Sequence, residues 1–338
     1  MADDDTIVDK RLRTRLGVGG VGGKPPPDLV GRIVLDRYLV EDKLGAGATG
    51  SVFRGRHTHL GREVAIKALH PQYIDEPTMI GRFRREARAV ARLSHANLVA
   101  VLDVGETDDG TQLIVFELAN GPTLRELMTG PLPADRVSRL VKPLLRGLDH
   151  AHAARLIHRD LKPDNVIVET GADGSEIPRI VDFGIAALSE PDDESATKLT
   201  GTGMVIGTPL YMAPEQAKAE PIDHRVDLFA LGVMVYEMLA GVPPFEGTAM
   251  EIAVANISSD PPPIARRAPG VIPDPFLEAY ARKLMARNLA DRLPTAHDAL
   301  ELLELADRDP DLALLRIGPI DVARALAVIS LPGPPAAR

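Results

Sequence analysis

The segment H-R-D-L-K-P-D-N, from His158 to Asn165, decides the interpretation of this sequence. D-F-G follows it at Asp182 to Gly184, and G-T-P-L-Y-M-A-P-E follows at Gly207 to Glu215. An isolated aspartate in such a segment is often a loop-capping residue. That role does not explain why Lys162 and Asn165 follow Asp160 at these offsets. The three segments in this order therefore indicate a built site rather than an ordinary loop.

A glycine-rich segment, G-A-G-A-T-G at Gly45 to Gly50, lies nearer the N-terminus. A dinucleotide site would need a helix after such glycines, whereas a hairpin that covers phosphates needs a strand, and the strand-like S-V-F-R-G-R-H follows here. The missing G-K-[ST] ending excludes a Walker-type P-loop. Glycines suit the hairpin because its amides must approach phosphate oxygens closely. The motif alone fits an ordinary glycine turn equally well.

A lysine, Lys67, lies in the apolar strand-like run V-A-I-K. A lysine on the buried face of a strand is costly unless it meets anions, and two phosphates with a carboxylate would satisfy it. Glu86 borders the apolar face of the next predicted helix and can reach inward. The alternative for Glu86 is an exposed ion pair with Arg82, one turn away. Without the other motifs of the chain, this alternative would be favoured.

Hydrophobic periodicity divides the chain into a β-rich part and a helical part. The alternating runs Y-L-V-E-D-K-L, S-V-F-R-G-R-H, E-V-A-I-K-A-L and Q-L-I-V-F-E, between Tyr38 and Glu117, predict strands. From Thr123 onward the periodicity is helical, apart from strand-like runs at Val166 to Val168 and Arg179 to Val181. The fold class is therefore predicted as α+β, a β-rich small lobe joined to an α-rich large lobe. One helix interrupts the strands, opened by Asp75 and Pro77 and carried by Ile80, Phe83, Ala87 and Val90 or Ala91.

The chain has 338 residues, 45% hydrophobic and 26% charged, which is typical of globular proteins. It contains no cysteine, which excludes disulfides, thiolate catalysis and cysteine-ligated metal sites. The net charge of −9 argues against a nucleic-acid partner held by a broad basic face. The N-terminus lacks a secretory signal, and the apolar run from Leu228 to Val242 is interrupted by Glu237 and is too short for a bilayer. The sequence therefore predicts a cytoplasmic protein without a membrane span.

Residues 1–28 are rich in glycine and proline and are predicted to form a flexible leader. Near the other end, Leu312 to Ile317 and Val322 to Ile329 fit short helices that either pack on the large lobe or bind a partner. The predicted boundaries are 1–37 for the leader and its lead-in, 38–305 for the folded domain, with lobes at 38–119 and 120–305, and 306–338 for a C-terminal tail.

Taken together, these motifs resemble those of the eukaryotic-like, or Hanks-type, protein kinases, and F-R-R-E-A, D-F-G-I-A and A-P-E-Q are most similar to the bacterial serine/threonine branch. The resemblance covers about residues 38–305 and is specific, because all the motifs occur in order at workable spacings. It implies the two-lobed protein-kinase fold, with one regulatory helix in a β-rich N-lobe and an α-helical C-lobe. The implied activity is transfer of the γ-phosphate of ATP to serine or threonine hydroxyls of proteins, with Mg²⁺ or Mn²⁺.

The resemblance assigns a nucleotide site to the first lobe and its connection to the second. Lys67 would grip the α- and β-phosphates and Glu86 would hold it, while Phe116 occupies the gatekeeper place. The glycine segment would cover the phosphates, apolar side chains would enclose the adenine, and the backbone of Glu117 and Ala119 would bond to it. The residues assigned to nucleotide binding are Leu44, Gly45, Ala46, Gly47, Ala48, Thr49, Gly50, Ser51, Val52, Ala65, Lys67, Glu117, Ala119 and Ile167.

The resemblance also assigns catalytic roles. Asp160 would accept the proton of the substrate hydroxyl and orient it for in-line attack. Asn165 and Asp182 would supply the oxygen donors that Mg²⁺ prefers, and two metals would neutralise charge on the transferred group. Lys162 and Thr208 are typical of serine/threonine rather than tyrosine kinases. The implied catalytic set is Asp160, Lys162, Asn165, Lys67, Glu86 and Thr208.

Two further assignments concern structure. Asp227 would brace the catalytic loop from a buried central helix, and Arg292 would form a partly buried ion pair with Glu215. The chain departs from the family pattern at Asn120 to Pro122, where an acidic residue is usual, which puts a ribose contact there in doubt.

The segment between Asp182 and Glu215 is predicted to be a switch. Thr200 and Thr202 occupy places where related bacterial kinases tend to autophosphorylate, and Arg159 precedes Asp160, an arrangement that in the family links activity to this phosphorylation. A phosphate adds nearly two negative charges that can form charge-assisted bonds with an arginine. The alternative is that both threonines are ordinary hydroxyls in a loop that is already ordered.

Two other function classes fit the sequence less well. A pseudokinase scaffold would be expected to lack Lys67, Asp160 or Asp182, and all three are present. A small-molecule kinase of related fold would not need the intact segment from Asp182 to Glu215. The predicted partners are protein substrates bearing serine or threonine and a second copy of the chain for autophosphorylation, without nucleic acid.

Overall fold

A computed structural model describes residues 28–47, 50–70, 73, 77–183 and 209–318, without the side chains of residues 77, 78, 82 and 86. Residues 1–27 of the predicted leader, the predicted phosphorylation sites and the helix predicted from Val322 to Ile329 lie outside these residues. The chain divides into two compact units. The first comprises Met1–Thr123, His150–Asp160 and Asn165–Gly207, and the second comprises Leu124–Asp149, Leu161–Asp164 and Thr208–Arg338.

A six-stranded antiparallel sheet forms the centre of the first unit. Its strands are β1 (Ile33–Val34), β2 (Tyr38–Ala46), β3 (Gly50–His57), β4 (Glu63–Leu69), β5 (Val101–Glu106) and β6 (Gln112–Glu117). Their order across the sheet is β1-β2-β3-β4-β6-β5. Alternate residues of successive strands, including Val40, Phe53 and Ile66, are buried in one apolar cluster with Leu29 and Val115. The sheet is therefore held by burial of one face as well as by its ladder of hydrogen bonds.

The helix α1 (Pro77–Val90) lies between β4 and β5 in the chain. Phe83 and Ala87 are fully buried and pack in one cluster with Leu69 of β4 and Phe116 of β6. The predicted helix is therefore confirmed, and its apolar spacing is what attaches it to the sheet. A separate antiparallel hairpin in this unit consists of β7 (Val166–Thr170) and β8 (Glu176–Ile180).

The second unit is helical. The helices in chain order are α2 (Leu124–Leu127), α3 (Ala134–Ala153), α4 (Pro214–Ala217), α5 (Arg225–Ala240), α6 (Ala249–Ser258), α7 (Ile264–Arg267), α8 (Pro275–Leu284), α9 (Ala296–Arg308) and α10 (Pro310–Ile317). The last turn of α3 belongs to the first unit. Short 3₁₀ turns lie at Pro163–Asn165 and Pro209–Tyr211.

The apolar run of the sequence forms α5, which is buried from Val226 to Ala240 as predicted. A Cβ on Gly232 would lie 2.7 Å from the Cβ of Leu284, so glycine allows α8 to pack closely on α5. The helix ends at Gly241, whose φ of 71° suits glycine and whose N–H bonds to the carbonyl of Glu237. Among the described residues, no helix combines the length and apolarity that a membrane crossing requires.

Side-chain caps begin the later helices. Thr248 and Glu251 cap each other's backbone N–H groups at the start of α6, with distances of 2.7 and 3.3 Å. Asp274, Thr295 and Asp309 each accept a hydrogen bond from the N–H three residues on, at the starts of α8, α9 and α10. The presence of α10 confirms the short helix predicted near residue 312. The β-rich first unit and the helical second unit confirm the predicted α+β class.

Candidate active site

Lys67 lies on β4 with 4% of its surface exposed. It pairs with Val52 of β3 and with Ile114 of β6 in the sheet register. A buried ammonium requires an anionic partner, and the Nζ atom of Lys67 bonds to Oδ1 of Asp182. The first unit therefore joins two residues, far apart in sequence, that were assigned to the same site.

Asp160 and Asn165 are also held together within the first unit. Nδ2 of Asn165 donates to the carbonyl oxygen of Asp160 at 2.8 Å and lies 3.4 Å from its Oδ2. The carbonyl of Asn165 accepts a hydrogen bond of 2.9 Å from the N–H of Val181, the residue before Asp182. The backbone of Asn165 thus connects the catalytic-loop aspartate with the aspartate that meets Lys67.

His158 is fully buried and links the same two segments, a role that the sequence analysis did not assign. Its Nδ1 accepts from the N–H of Asp160 at 3.3 Å, and its Nε2 lies 3.0 Å from the carbonyl of Val181. These partners require a neutral ring with the proton on Nε2. The ring also packs against Phe183, 4.8 Å between centroids. The first residue of the H-R-D triplet was the available signal for this positioning role.

Two residues at the site have a left-handed backbone. The φ angle is 65° at Arg159 and 59° at Asp182. Aspartate tolerates this conformation, whereas arginine adopts it rarely. Each such residue costs about 1–3 kcal/mol and persists where its surroundings fix the backbone. His158 contacts the residues next to both positions and so contributes to that restraint.

The donor set suits a hard divalent cation. Asp182 offers a carboxylate, and Asn165 offers an amide oxygen because its amide nitrogen is the atom that bonds to Asp160. Mg²⁺ binds with few protein oxygens and retains several waters. No group of three or more histidine or acidic side chains among the described residues is arranged to hold a metal ion. A cation held by Asp182 and Asn165 would therefore take its other ligands from water and from substrate phosphates.

The glycine segment forms the turn between β2 and β3. Gly45 pairs with Val52, and the N–H of Gly47 donates to the carbonyl of Gly50 at 2.8 Å. A Cβ on Gly50 would lie 2.2 Å from the carbonyl oxygen of Ala68, whereas the nearest atom to a Cβ on Gly47 would be 3.9 Å away. Gly50 is therefore required by strand packing, whereas no described residue beyond its chain neighbours comes closer than 3.9 Å to a Cβ on Gly47.

The other residues of this segment differ in what they can offer a ligand. Ala46 and Ser51 pair across the hairpin. The hydroxyl of Ser51 is buried and has no hydrogen-bond partner among the described residues. Ala48 and Thr49 lie outside the described residues.

The predicted adenine environment is a mixture of buried and partly open apolar groups. Phe116 is buried and pairs with Ala65 across β4 and β6. The N–H of Glu117 donates to the carbonyl of Ala100 at 2.9 Å, so this N–H is already engaged within the first unit. The partly buried apolar side chains of the predicted set are Leu44, Val52, Ala65, Ala119 and Ile167.

Several predicted residues are not brought into this cluster by the described structure. The backbone of Glu86 lies in α1, but its side chain is outside the description, so the predicted Lys67–Glu86 contact stays a prediction. Thr200, Thr202 and Thr208 also lie outside the described residues. Lys162 is partly buried and belongs to the second unit, as does Asp227, which is buried in the first turn of α5.

The ion pair predicted between Glu215 and Arg292 is confirmed, and it is fully rather than partly buried. Nη1 and Nη2 of Arg292 donate to the two carboxylate oxygens at 2.6 and 3.1 Å, and the side chains are 0% and 4% exposed. Arg292 also donates to the carbonyls of Ala286 and Arg225 at 3.0 and 2.9 Å. These bonds satisfy the buried guanidinium on several sides.

A second arginine network, which the sequence analysis missed, lies in the second unit. Arg125 of α2 donates to Glu237 of α5 at 2.7 Å and to the hydroxyl of Tyr211, and its Nε lies 3.6 Å from Asp164. Tyr211 donates to Glu237 at 2.5 Å. Burial and the Glu237 carboxylate raise the pKa of the Tyr211 hydroxyl, which therefore remains a donor. One arginine thus connects the residue before Asn165 with the G-T-P-L-Y segment.

Residues 38–299 match the family described as Protein kinase domain. The chain belongs to the protein kinase family. This kinase is 37% identical over 285 residues to serine/threonine-protein kinase pkn3 of Myxococcus xanthus, which covers 83% of the chain and 52% of pkn3. It is 40% identical over 263 residues to PknL of Mycobacterium tuberculosis, covering 77% of the chain and 63% of PknL. The kinase therefore spans about half to two thirds of the length of these relatives.

Solved structures support the same assignment. The kinase aligns with the crystal structure of the Mycobacterium tuberculosis PknI kinase domain at a TM-score of 0.63 and 26% identity, covering 82% of this chain and 98% of that domain. The two-lobed protein-kinase fold and the resemblance to the bacterial Hanks-type branch are confirmed by these comparisons.

Proposed function

We propose that this kinase is an ATP-dependent serine/threonine protein kinase that transfers the γ-phosphate of ATP to serine and threonine hydroxyls of proteins. The observation that carries the proposal is the cluster in the first unit, in which Lys67 bonds to Asp182 and Asn165 bonds to Asp160. All four functional groups are present, which argues against a pseudokinase scaffold. The relatives named serine/threonine-protein kinases support the substrate class.

In the proposed reaction, Asp160 accepts the proton of the substrate hydroxyl as the hydroxyl oxygen forms a bond to the γ-phosphorus. The bond from that phosphorus to the bridging oxygen breaks, and ADP leaves. Asn165 and His158 hold Asp160 through its backbone. Mg²⁺ or Mn²⁺, when bound, neutralises charge on the phosphates. Asp182 and Asn165 provide its protein oxygens, and Lys67, held by Glu86, faces the α- and β-phosphates.

The same proposal includes the nucleotide-binding surface and the domain boundaries. The glycine segment covers the phosphates, and the carbonyl of Glu117 with the backbone of Ala119 binds the adenine between Val52 and Ile167. Lys162 and Thr208 engage the protein substrate. We place the catalytic domain at residues 38–305 of a cytoplasmic protein. Leu29 and β1, which precede it, belong to the core and sheet of the first unit, and α10 follows it.

Phosphate transfer from labelled ATP to a generic protein substrate tests this function. The Asp160→Asn protein should lose transfer while it still binds Mg·ADP, because the carboxylate contacts the hydroxyl rather than the nucleotide. Asp173→Asn, in the exposed turn between β7 and β8, is the matched control and should retain activity. Substantial turnover by Asp160→Asn would overturn the mechanism.

Activation is proposed to depend on autophosphorylation of Thr200 or Thr202 between two copies of the chain. A phosphate there would form charge-assisted bonds with Arg159, order the segment and seat Thr208. Mass spectrometry of the purified wild-type protein should find phosphate on at least one of these threonines, and the Asp160→Asn protein should lack it. Undiminished activity of the double Thr200→Ala, Thr202→Ala protein would remove the switch and leave the kinase assignment in place.

A further inference from the structure

The segment from Glu117 to Asn120, called here the connecting segment, follows β6 and is proposed above to bind adenine through its backbone. Arg179 of β8 lies beside it with 12% of its side chain exposed. Nη2 of Arg179 donates to Oε2 of Glu117 at 2.6 Å and to the carbonyl of Leu98 at 3.1 Å. The guanidinium therefore holds the first residue of the connecting segment by a charge-assisted hydrogen bond.

The same guanidinium reaches the other end of the connecting segment through a second acid. Nη1 of Arg179 lies 3.4 Å from Oε2 of Glu169 on β7. Oε1 of Glu169 accepts a hydrogen bond of 2.8 Å from the backbone N–H of Asn120. One arginine thus fixes Glu117 directly and Asn120 through Glu169, and the residues between them include Ala119.

Two more features restrain the segment that follows. The N–H of Val168 donates to the carbonyl of Pro122 at 2.9 Å, and a Cβ on Gly121 would lie 2.2 Å from the carbonyl oxygen of Val168. The chain after Asn120 therefore lies directly against β7. Because β7 and β8 are paired, Arg179 and Glu169 are parts of the same hairpin.

The charge on Glu117 is favoured by its surroundings. Burial alone would raise the pKa of this carboxyl, but Arg179 and Arg62 outweigh burial and lower the pKa below its usual value. Nη2 of Arg62 lies 3.0 Å from Oε1 of Glu117, and the Arg62 side chain is 50% exposed, whereas the Arg179 side chain is 12% exposed. Removal of Arg179 would leave a partly buried carboxylate with one exposed partner, so the connecting segment would sample other conformations.

We propose that Arg179 is a positioning residue for nucleotide binding, which holds the connecting segment in the conformation whose backbone accepts the adenine. The inference rests on the proposed function, because the adenine contact belongs to it. Arg179 touches no reacting atom, so it acts on ATP affinity rather than on the chemical step. If the competent conformation falls to about a tenth of the population, the apparent Kd rises about tenfold.

Calorimetric titration of the full chain with Mg·ADP, together with steady-state kinetics, tests this role. Arg179→Met should raise the Kd for Mg·ADP and the KM for ATP by about tenfold and leave kcat within about twofold. The KM for the protein substrate should not change. Arg179→Lys should recover part of the affinity, since a lysine restores the charge without the two-pronged geometry. Arg56, 44% exposed on the same sheet, lies 2.8 Å from Glu41 and 3.5 Å from Glu63, and Arg56→Met should bind Mg·ADP like wild type.

A second variant keeps the test decisive if Arg179→Met does not fold. Glu169→Gln retains an acceptor for Asn120 but weakens the link to Arg179, and it should shift the KM for ATP in the same direction by a smaller factor. Lower melting temperatures with an unchanged KM for ATP would overturn the inference and leave Arg179 a purely structural residue. Failure of the wild-type protein to bind Mg·ADP would instead overturn the proposed function, and this inference with it.

Discussion

The buried pair of Glu215 and Arg292 permits a quantitative prediction. Arg292→Met removes the buried ion-pair partner of the Glu215 carboxylate, which is 4% exposed. Loss of one partner of a buried pair costs about 3–5 kcal/mol. The carbonyls of Ala286 and Arg225 also lose a donor, at about 0.5–1.5 kcal/mol each. We therefore expect a loss of about 4–8 kcal/mol in the free energy of unfolding, a large share of the stability of a typical domain.

Urea denaturation followed by circular dichroism measures this loss. With a slope of about 3 kcal/mol per molar urea, the midpoint of Arg292→Met should fall by about 1–3 M. Arg287→Met is the matched control, since Arg287 and Asp260 are 3.0 Å apart but 40% and 70% exposed. Exposed pairs contribute about 0–1 kcal/mol, so the control midpoint should move by no more than about 0.3 M.

A double variant separates the charge from the lost packing. Glu215→Gln combined with Arg292→Met removes the buried charge and should recover more than half of the stability that Arg292→Met loses, because the uncompensated carboxylate is its largest cost. Equal midpoint shifts for Arg292→Met and Arg287→Met would refute the reasoning. So would a double variant less stable than Arg292→Met.

Three further predictions concern the sites themselves. Asp182→Ala, or excess chelator with the wild-type protein, should abolish phosphoryl transfer because a metal-binding oxygen or the metal is lost, and full turnover in chelator would contradict this. Gly121→Ala should cost about 1–3 kcal/mol and weaken Mg·ADP binding, because its Cβ would meet a backbone carbonyl of β7 at 2.2 Å. Gly130→Ala, whose Cβ would meet no atom of the other described residues within 4 Å, is the control in the same urea and calorimetric assays. Arg125→Met should lower kcat/KM for the protein substrate by about tenfold and leave the KM for ATP unchanged, since Arg125 binds Tyr211. An altered KM for ATP in that protein would contradict the assignment.

The strands and helices that the sequence predicts are those whose own residues show a clear hydrophobic periodicity. β4 and α1 have the alternation and the helical spacing of their buried faces, and both form as predicted. β1 and β5 were not predicted. β1 has two residues, and β5 has mostly half-buried side chains with no clean alternation, so its pairing with β6 rather than its composition makes it a strand.

The residues of the candidate site also fall into two groups, those that the sequence predicts and those that it does not. Lys67, Asp160 and Asp182 stand in recognisable motifs, so their roles could be predicted before their contacts were known. Arg125 and Arg179 lie in segments without a motif, and their importance depends on partners far away in the chain. A single sequence gives no means of pairing such residues, because any of the chain's many arginines and acids would fit an ion pair equally well.

At Arg159 the left-handed backbone favours glycine, whereas the proposed regulation requires the arginine side chain. Glycine would adopt a φ of 65° without the steric cost of about 1–2 kcal/mol that an L-residue has there, which exceeds glycine's own entropic cost of about 0.5–1 kcal/mol, so the backbone at this position favours glycine. The same change would delete the guanidinium proposed to receive the phosphate. A library selected only for heat resistance should therefore enrich glycine at this position and lose the response to phosphorylation. A library selected for controlled activity should keep arginine and its strained backbone.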